Sequence, residues 1–110
     1  MTEQEVRKYL RQMRDDDSQL ALKKFYDLCY DRFYRIAWYY LHADEAAQEV
    51  VLDVFFRIWQ RRGSLQEIAN LEDYFFITVR NAALARLEQE NRQPEKTDLT
   101  ADILPDADDS

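Results

Sequence analysis

Apolar residues along this chain recur at three- and four-residue steps in four separate stretches, a spacing that predicts four helices. The first spans about Glu3 to Arg14, with Val6, Leu10 and Met13 on one side and mixed charges on the other. Asp15-Asp16-Asp17-Ser18 breaks it, and Ser18 or Asp17 is placed to cap the next helix. That second helix runs from about Gln19 to Leu41 and turns Leu22, Phe25, Cys29 or Leu28, Phe33, Ile36, Ala37 and Tyr40 inward. Asp44 is a suitable N-cap for a third helix over about Glu45 to Arg62. Its stripe is Val51, Val54, Phe55 and Ile58, with Ala47 and Val50 behind and Trp59 beside. Gly63 falls just past this pattern, where a helix commonly ends in a left-handed residue. Asn70 then caps a fourth helix that reaches about Glu90, with Asp73 three residues on. Phe75, Thr78, Val79 and Ala82 face the core from it.

Composition agrees with an all-α fold: a compact bundle of about four helices forming one domain over residues 1–92. A single glycine and two prolines, both late in the chain, sit beside abundant Leu, Ala, Arg and Glu. Residues 93–110 hold both prolines and a heavy load of Asp. They cannot bury enough apolar surface to fold alone, so they are expected to form a disordered acidic linker toward a further domain. No apolar run approaches the roughly 20 residues of a membrane helix, which predicts no membrane insertion and a cytoplasmic protein.

The net charge of −7 is unevenly spread. Residues 1–53 carry 8 basic and 11 acidic side chains, residues 54–92 carry 6 and 5, and residues 93–110 carry 1 and 6. Tight, sequence-independent duplex binding needs several phosphate-neutralising cations, and this distribution does not supply them. No phosphate loop or metal-ligand spacing appears, and His42 is the sole histidine, so no catalytic set, metal or cofactor is expected. Cys29 has no partner for an internal disulfide and lies on the helical pattern as a core residue.

Three features go beyond a plain bundle. On the third helix, Leu52 and Phe56 stand off the core stripe beside Glu49 and Asp53, which suits either a solvated face with an Asp53–Arg57 pair or a contact surface. The polar segment 63–69 is either a connector with Leu65 and Ile68 tucked onto the core or a recognition loop. The aromatic density of the second helix (Phe25, Tyr26, Tyr30, Phe33, Tyr34, Trp38, Tyr39, Tyr40) goes beyond one core stripe and fits packing on two sides or a partner-facing surface.

AQEVVLDVFFRIW, the following loop and YFFITVRNAAL together resemble region 2 of bacterial RNA polymerase sigma factors, over about residues 18–92. The extracytoplasmic-function (ECF) group is the most similar, and the phrase LEDYFFITVRN resembles its Bacteroidetes members. The resemblance implies a non-enzymatic domain that binds core polymerase and recognises and melts the promoter −10 element in transcription initiation. It assigns docking on the beta-prime clamp helices to Glu49, Leu52, Asp53 and Phe56. The family usually has glutamine where this chain has Leu52, which removes a hydrogen-bonding group there. It assigns contact with the −10 non-template strand to Ser64, Gln66, Glu67, Tyr74, Arg80, Asn81 and Arg86. An anti-sigma factor is a further implied partner, and a −35-reading domain is expected after the linker. The alternative is a sigma-like interaction module without promoter-reading activity.

Overall fold

The computed structural model describes residues 2–92, the predicted linker over 93–110 lying outside them. Its four helices are α1 (Glu3–Asp16), α2 (Gln19–Leu41), α3 (Asp44–Gln60) and α4 (Leu71–Arg92), with a single 3-10 turn at Leu65–Glu67. Each boundary has a local cause. Thr2 Oγ1 accepts from the Glu5 amide at the start of α1, and Ser18 Oγ accepts from the Ala21 amide at the start of α2. Asp17 (φ 50°) and His42 (φ 51°) take the left-handed conformation that ends α1 and α2. Asn70 Oδ1 accepts from the Asp73 amide and so caps α4 as expected.

Three boundary expectations are corrected. The acidic triplet does not break α1 at Arg14, because Asp15 and Asp16 continue the helix and only Asp17 turns. Ala43, not Asp44, is the N-cap of α3. Asp44 already lies in the first turn, where its carboxylate accepts from the Tyr34 hydroxyl and the Gln48 amide. Those two bonds, Tyr34 first, hold the Asp44 carboxyl below its usual range. Gly63 is not left-handed. After Gln60 the chain leaves through successive right-handed turns, with Arg62 N–H to the Trp59 carbonyl and Ser64 N–H to the Arg61 carbonyl. Those turns need no positive φ.

The core forms where α2, α3 and α4 meet. Phe25 and Phe33 of α2, Phe55 of α3 and Phe75 of α4 are all buried, with ring centroids 5.0–6.3 Å apart in the contacting pairs. Such pairs contribute about 0.5–1.5 kcal/mol each beyond burial of area. Ala21, Phe25, Cys29, Phe33, Ala37 and Leu41 form the buried line of α2, at a strict four-residue step. That step drifts around the helix axis, because a turn is 3.6 residues. The drift suits a helix that packs against α1, α3 and α4. Leu22, Ile36 and Tyr40, expected inside, are only half-buried at the edges of the line. Tyr26, Tyr30 and Tyr34 cover the core's rim in a ladder of rings, whereas Trp38 and Tyr39 are exposed.

Side-chain ties set α1 and the loop in place. Val6, Leu10 and Met13 pack α1 on the core, and Leu65 is buried with them. Arg62 stacks on Trp59 at 4.0 Å, donates to the Trp59 carbonyl and pairs with Asp17, joining the end of α3 to the α1–α2 corner. Arg32 of α2 pairs with Glu72 in the first turn of α4.

Candidate functional site

The outward side of α3 carries the first group of candidate residues. Ala46, Ala47, Val50, Val51, Val54, Phe55 and Ile58 are committed to the core. Glu49, Leu52 and Phe56 follow at three- and four-residue steps on the opposite side. Leu52 and Phe56 are 55% and 59% exposed, large apolar side chains that the fold leaves mostly to solvent. Asp53 pairs with Arg57 at 3.0 Å, as the spacing predicts. Glu49 takes a different partner: Arg86 of α4 at 2.6 Å, while Arg86 also holds Glu90 at 2.8 Å. Both carboxylates, Glu49 before Glu90, raise the Arg86 pKa.

Arg86 therefore belongs structurally with Glu49. It lines a groove of about 210 Å³ between α3 and α4, with Glu49, Asp53 and Arg57 on the α3 side and Ala82, Ala85 and Gln89 on the other. The guanidinium bridges α3 and α4, its ion-pair partners being Glu49 and Glu90.

The loop between α3 and α4 is shaped by α1. Arg7 donates to the carbonyls of Gln66, Ile68 and Ala69 at 3.4, 2.7 and 3.2 Å, and to Gln66 Oε1 at 3.1 Å. Gln66 Nε2 returns a bond to the Arg7 carbonyl at 2.9 Å. Both ends of the Gln66 amide thus hold α1. Ser64 and Glu67 are exposed, with Ser64 Oγ on the Arg61 carbonyl. Beside the loop lies a hollow of about 320 Å³, lined by Glu3, Val6, Ala69, Asn70, Leu71 and Glu72.

On α4, Tyr74 is half-buried with its ring against Phe75. Its carbonyl accepts from Thr78 Oγ1 at 2.7 Å. Arg80 is also half-buried: one terminal nitrogen reaches Asn81 Oδ1 at 3.3 Å, and Nε is buried with no hydrogen-bond partner. Nε is closed to solvent, so only the terminal nitrogens of this guanidinium are placed to meet an anion. Asn81 is exposed and bonds its neighbour Arg80. Phe76, Ile77 and Leu84 add exposed apolar surface to this helix.

Sequence reasoning missed Arg7. Its only local signal is an arginine next to Val6 at the edge of a buried stripe, one turn after Glu3, with which it pairs at 2.8 Å. Its loop partners lie 59–62 residues away, beyond the reach of periodicity. Cys29 is buried, and burial pushes its thiol up to about 12, which fits a packing role. Among the described residues no group of His, Cys, Asp and Glu could hold a metal ion, and no helix is long and apolar enough to cross a membrane.

The four-helix, all-α fold thus matches the architecture expected from the sequence. No curated protein and no solved structure matches the chain. A family model does, that of Sigma-70 region 2, over residues 25–93. This match takes in most of α2 and all of α3, the loop and α4, and leaves α1 outside. It covers well over half of the sequence, and the chain therefore belongs to the sigma-70 region 2 family, the non-enzymatic domain of transcription initiation factors that binds RNA polymerase core and promoter DNA.

Proposed function

We propose that this domain is region 2 of an ECF-type sigma factor acting in the cytoplasm. In this reading, α3 docks on the beta-prime clamp helices of polymerase and the loop with α4 receives the −10 non-template strand as the promoter melts. The observation that carries it is the uncovered pair Leu52 and Phe56, one turn apart on the side of α3 that the core leaves free. Exposed apolar residues at helical spacing, flanked by Glu49 and Asp53, suit a helical partner with apolar knobs and basic flanks. Leu52, standing where the family usually has glutamine, makes this contact more apolar. Half-buried Arg80 is the group suited to a phosphate through its terminal nitrogens, and exposed Asn81 is suited to a base edge. Exposed Ser64 and Glu67 and half-buried Tyr74 complete the strand-contacting set in this reading. An anti-sigma factor belongs to the same reading, with Phe76, Ile77 and Leu84 as apolar surface it could cover.

A second reading, a sigma-like interaction module that does not read promoters, draws on two specific contacts. Gln66 is engaged by Arg7 and Arg86 by Glu49, so two residues expected on DNA already have partners in the fold. Binding to core polymerase and to single-stranded −10 DNA separates the readings. Asp53→Lys should weaken binding to a clamp-helix fragment by about 1–3 kcal/mol. Equal binding by the variant and the parent, both folded, removes α3 from the interface. Polymerase binding without retention of −10 strand DNA favours the second reading.

A further inference from the structure

We propose that Arg7 is a positioning residue for base selection on the promoter strand, holding segment 66–69 so that its last residue, Ala69, borders the hollow between α1 and the start of α4. The proposal rests on the promoter-reading function argued above and adds a specificity-setting element to it. Three carbonyls within four residues, those of Gln66, Ile68 and Ala69, converge on one guanidinium. Without a cation those oxygens repel one another, so the loop's course after its 3-10 turn depends on Arg7. Glu3 fixes the guanidinium through Nε at 2.8 Å, and the Gln66 amide closes the clasp from the other side. The Arg7 side chain is 24% exposed, and charge-assisted bonds in such a partly desolvated place hold geometry better than surface pairs do.

The clasp changes the role of Gln66. Its amide is spent on α1, so base selection at this loop depends on the shape of the hollow beside Ala69 and Asn70 rather than on a free Gln66 head group. Only a planar fork serves here: lysine retains the charge but not the geometry that spans carbonyls of several residues. The brace also comes from α1, which precedes the family match at residue 25.

The test uses the full chain bound to core polymerase and a randomised pool of single-stranded DNA, with retained strands sequenced. The parent should enrich one base at one position by about five- to a hundredfold, the range of a good base-edge contact. Arg7→Ala and Arg7→Lys should both reduce that enrichment to about twofold or less, while binding to polymerase stays at the parental level. Amide hydrogen exchange at 66–69 reads the loop shape separately and should accelerate in both variants. An unchanged base ranking in Arg7→Ala overturns the proposal, as does unchanged exchange across 66–69. A parent chain that enriches no base at all instead overturns the promoter-reading function, with the exchange data still deciding whether the brace exists.

Discussion

Removing the Phe56 ring should separate binding from folding. Full burial of a phenylalanine side chain contributes about 1.5–3 kcal/mol relative to full exposure. Phe56 keeps 59% of its surface exposed in the free domain, so docking can withdraw roughly three-fifths of that contribution. Phe56→Ala should therefore weaken binding to core polymerase by about 1–2 kcal/mol, a rise in Kd of roughly 5- to 30-fold. Stability should stay within about 0.5 kcal/mol of the parent, because the ring is mostly exposed and alanine favours the helix. Titration of labelled polymerase gives the Kd, and thermal denaturation by circular dichroism gives the stability. A Kd within twofold of the parent, with both proteins folded, refutes the argument that this ring faces polymerase. A large loss of stability refutes it differently, since the ring would then belong to the fold.

Three further outcomes follow from the packing. Phe25→Ala empties the centre of the four-ring cluster and should cost about 3–5 kcal/mol, a large share of a small domain's stability, seen as a fall in Tm of roughly 12 °C or more. Gly63→Ala should be neutral or stabilising by up to about 1 kcal/mol, since φ is not positive and an added Cβ meets nothing within 4 Å; a loss of stability would show that glycine is required there. Native Cys29 should resist a thiol-disulfide reagent at pH 8. Its raised pKa favours the neutral thiol in the fold, so this stabilising contribution is complete below about pH 9 and is lost as pH rises toward about 12. Rapid modification of the folded protein contradicts the burial.

The helices and the core were legible because three- and four-residue spacing is a local signal: Val6-Leu10-Met13 and Val51-Val54-Phe55-Ile58 land where the period puts them. The same signal marked Leu52 and Phe56 as uncovered, because both fall off the core stripe. Boundary details failed where two local solutions compete. Asp44 is a good cap in isolation, yet Tyr34 and Gln48 engage its carboxylate one position inside the helix. Gly63 suits a left-handed end, yet a run of right-handed turns, with Arg62 stacked on Trp59, ends α3 without one. Partners far apart in the chain left no periodic trace. The family resemblance points to Gln66 and Arg86, but nothing in the sequence shows that one meets Arg7 and the other Glu49. Alternative partners for a charged side chain differ by too little for composition to decide, and tertiary packing makes the choice.

The central claim is a division of labour: the outer side of α3 meets polymerase, and the braced loop meets the melted strand. Photo-crosslinking tests it most directly, with a photoreactive amino acid replacing exposed Phe56 in one sample and exposed Glu67 in another. Each chain is bound to core polymerase on a pre-melted promoter bubble and irradiated. The account predicts that position 56 links to the beta-prime subunit and that position 67 links to the non-template strand. Links from position 56 to DNA, or from position 67 to protein alone while the bubble remains bound, contradict it.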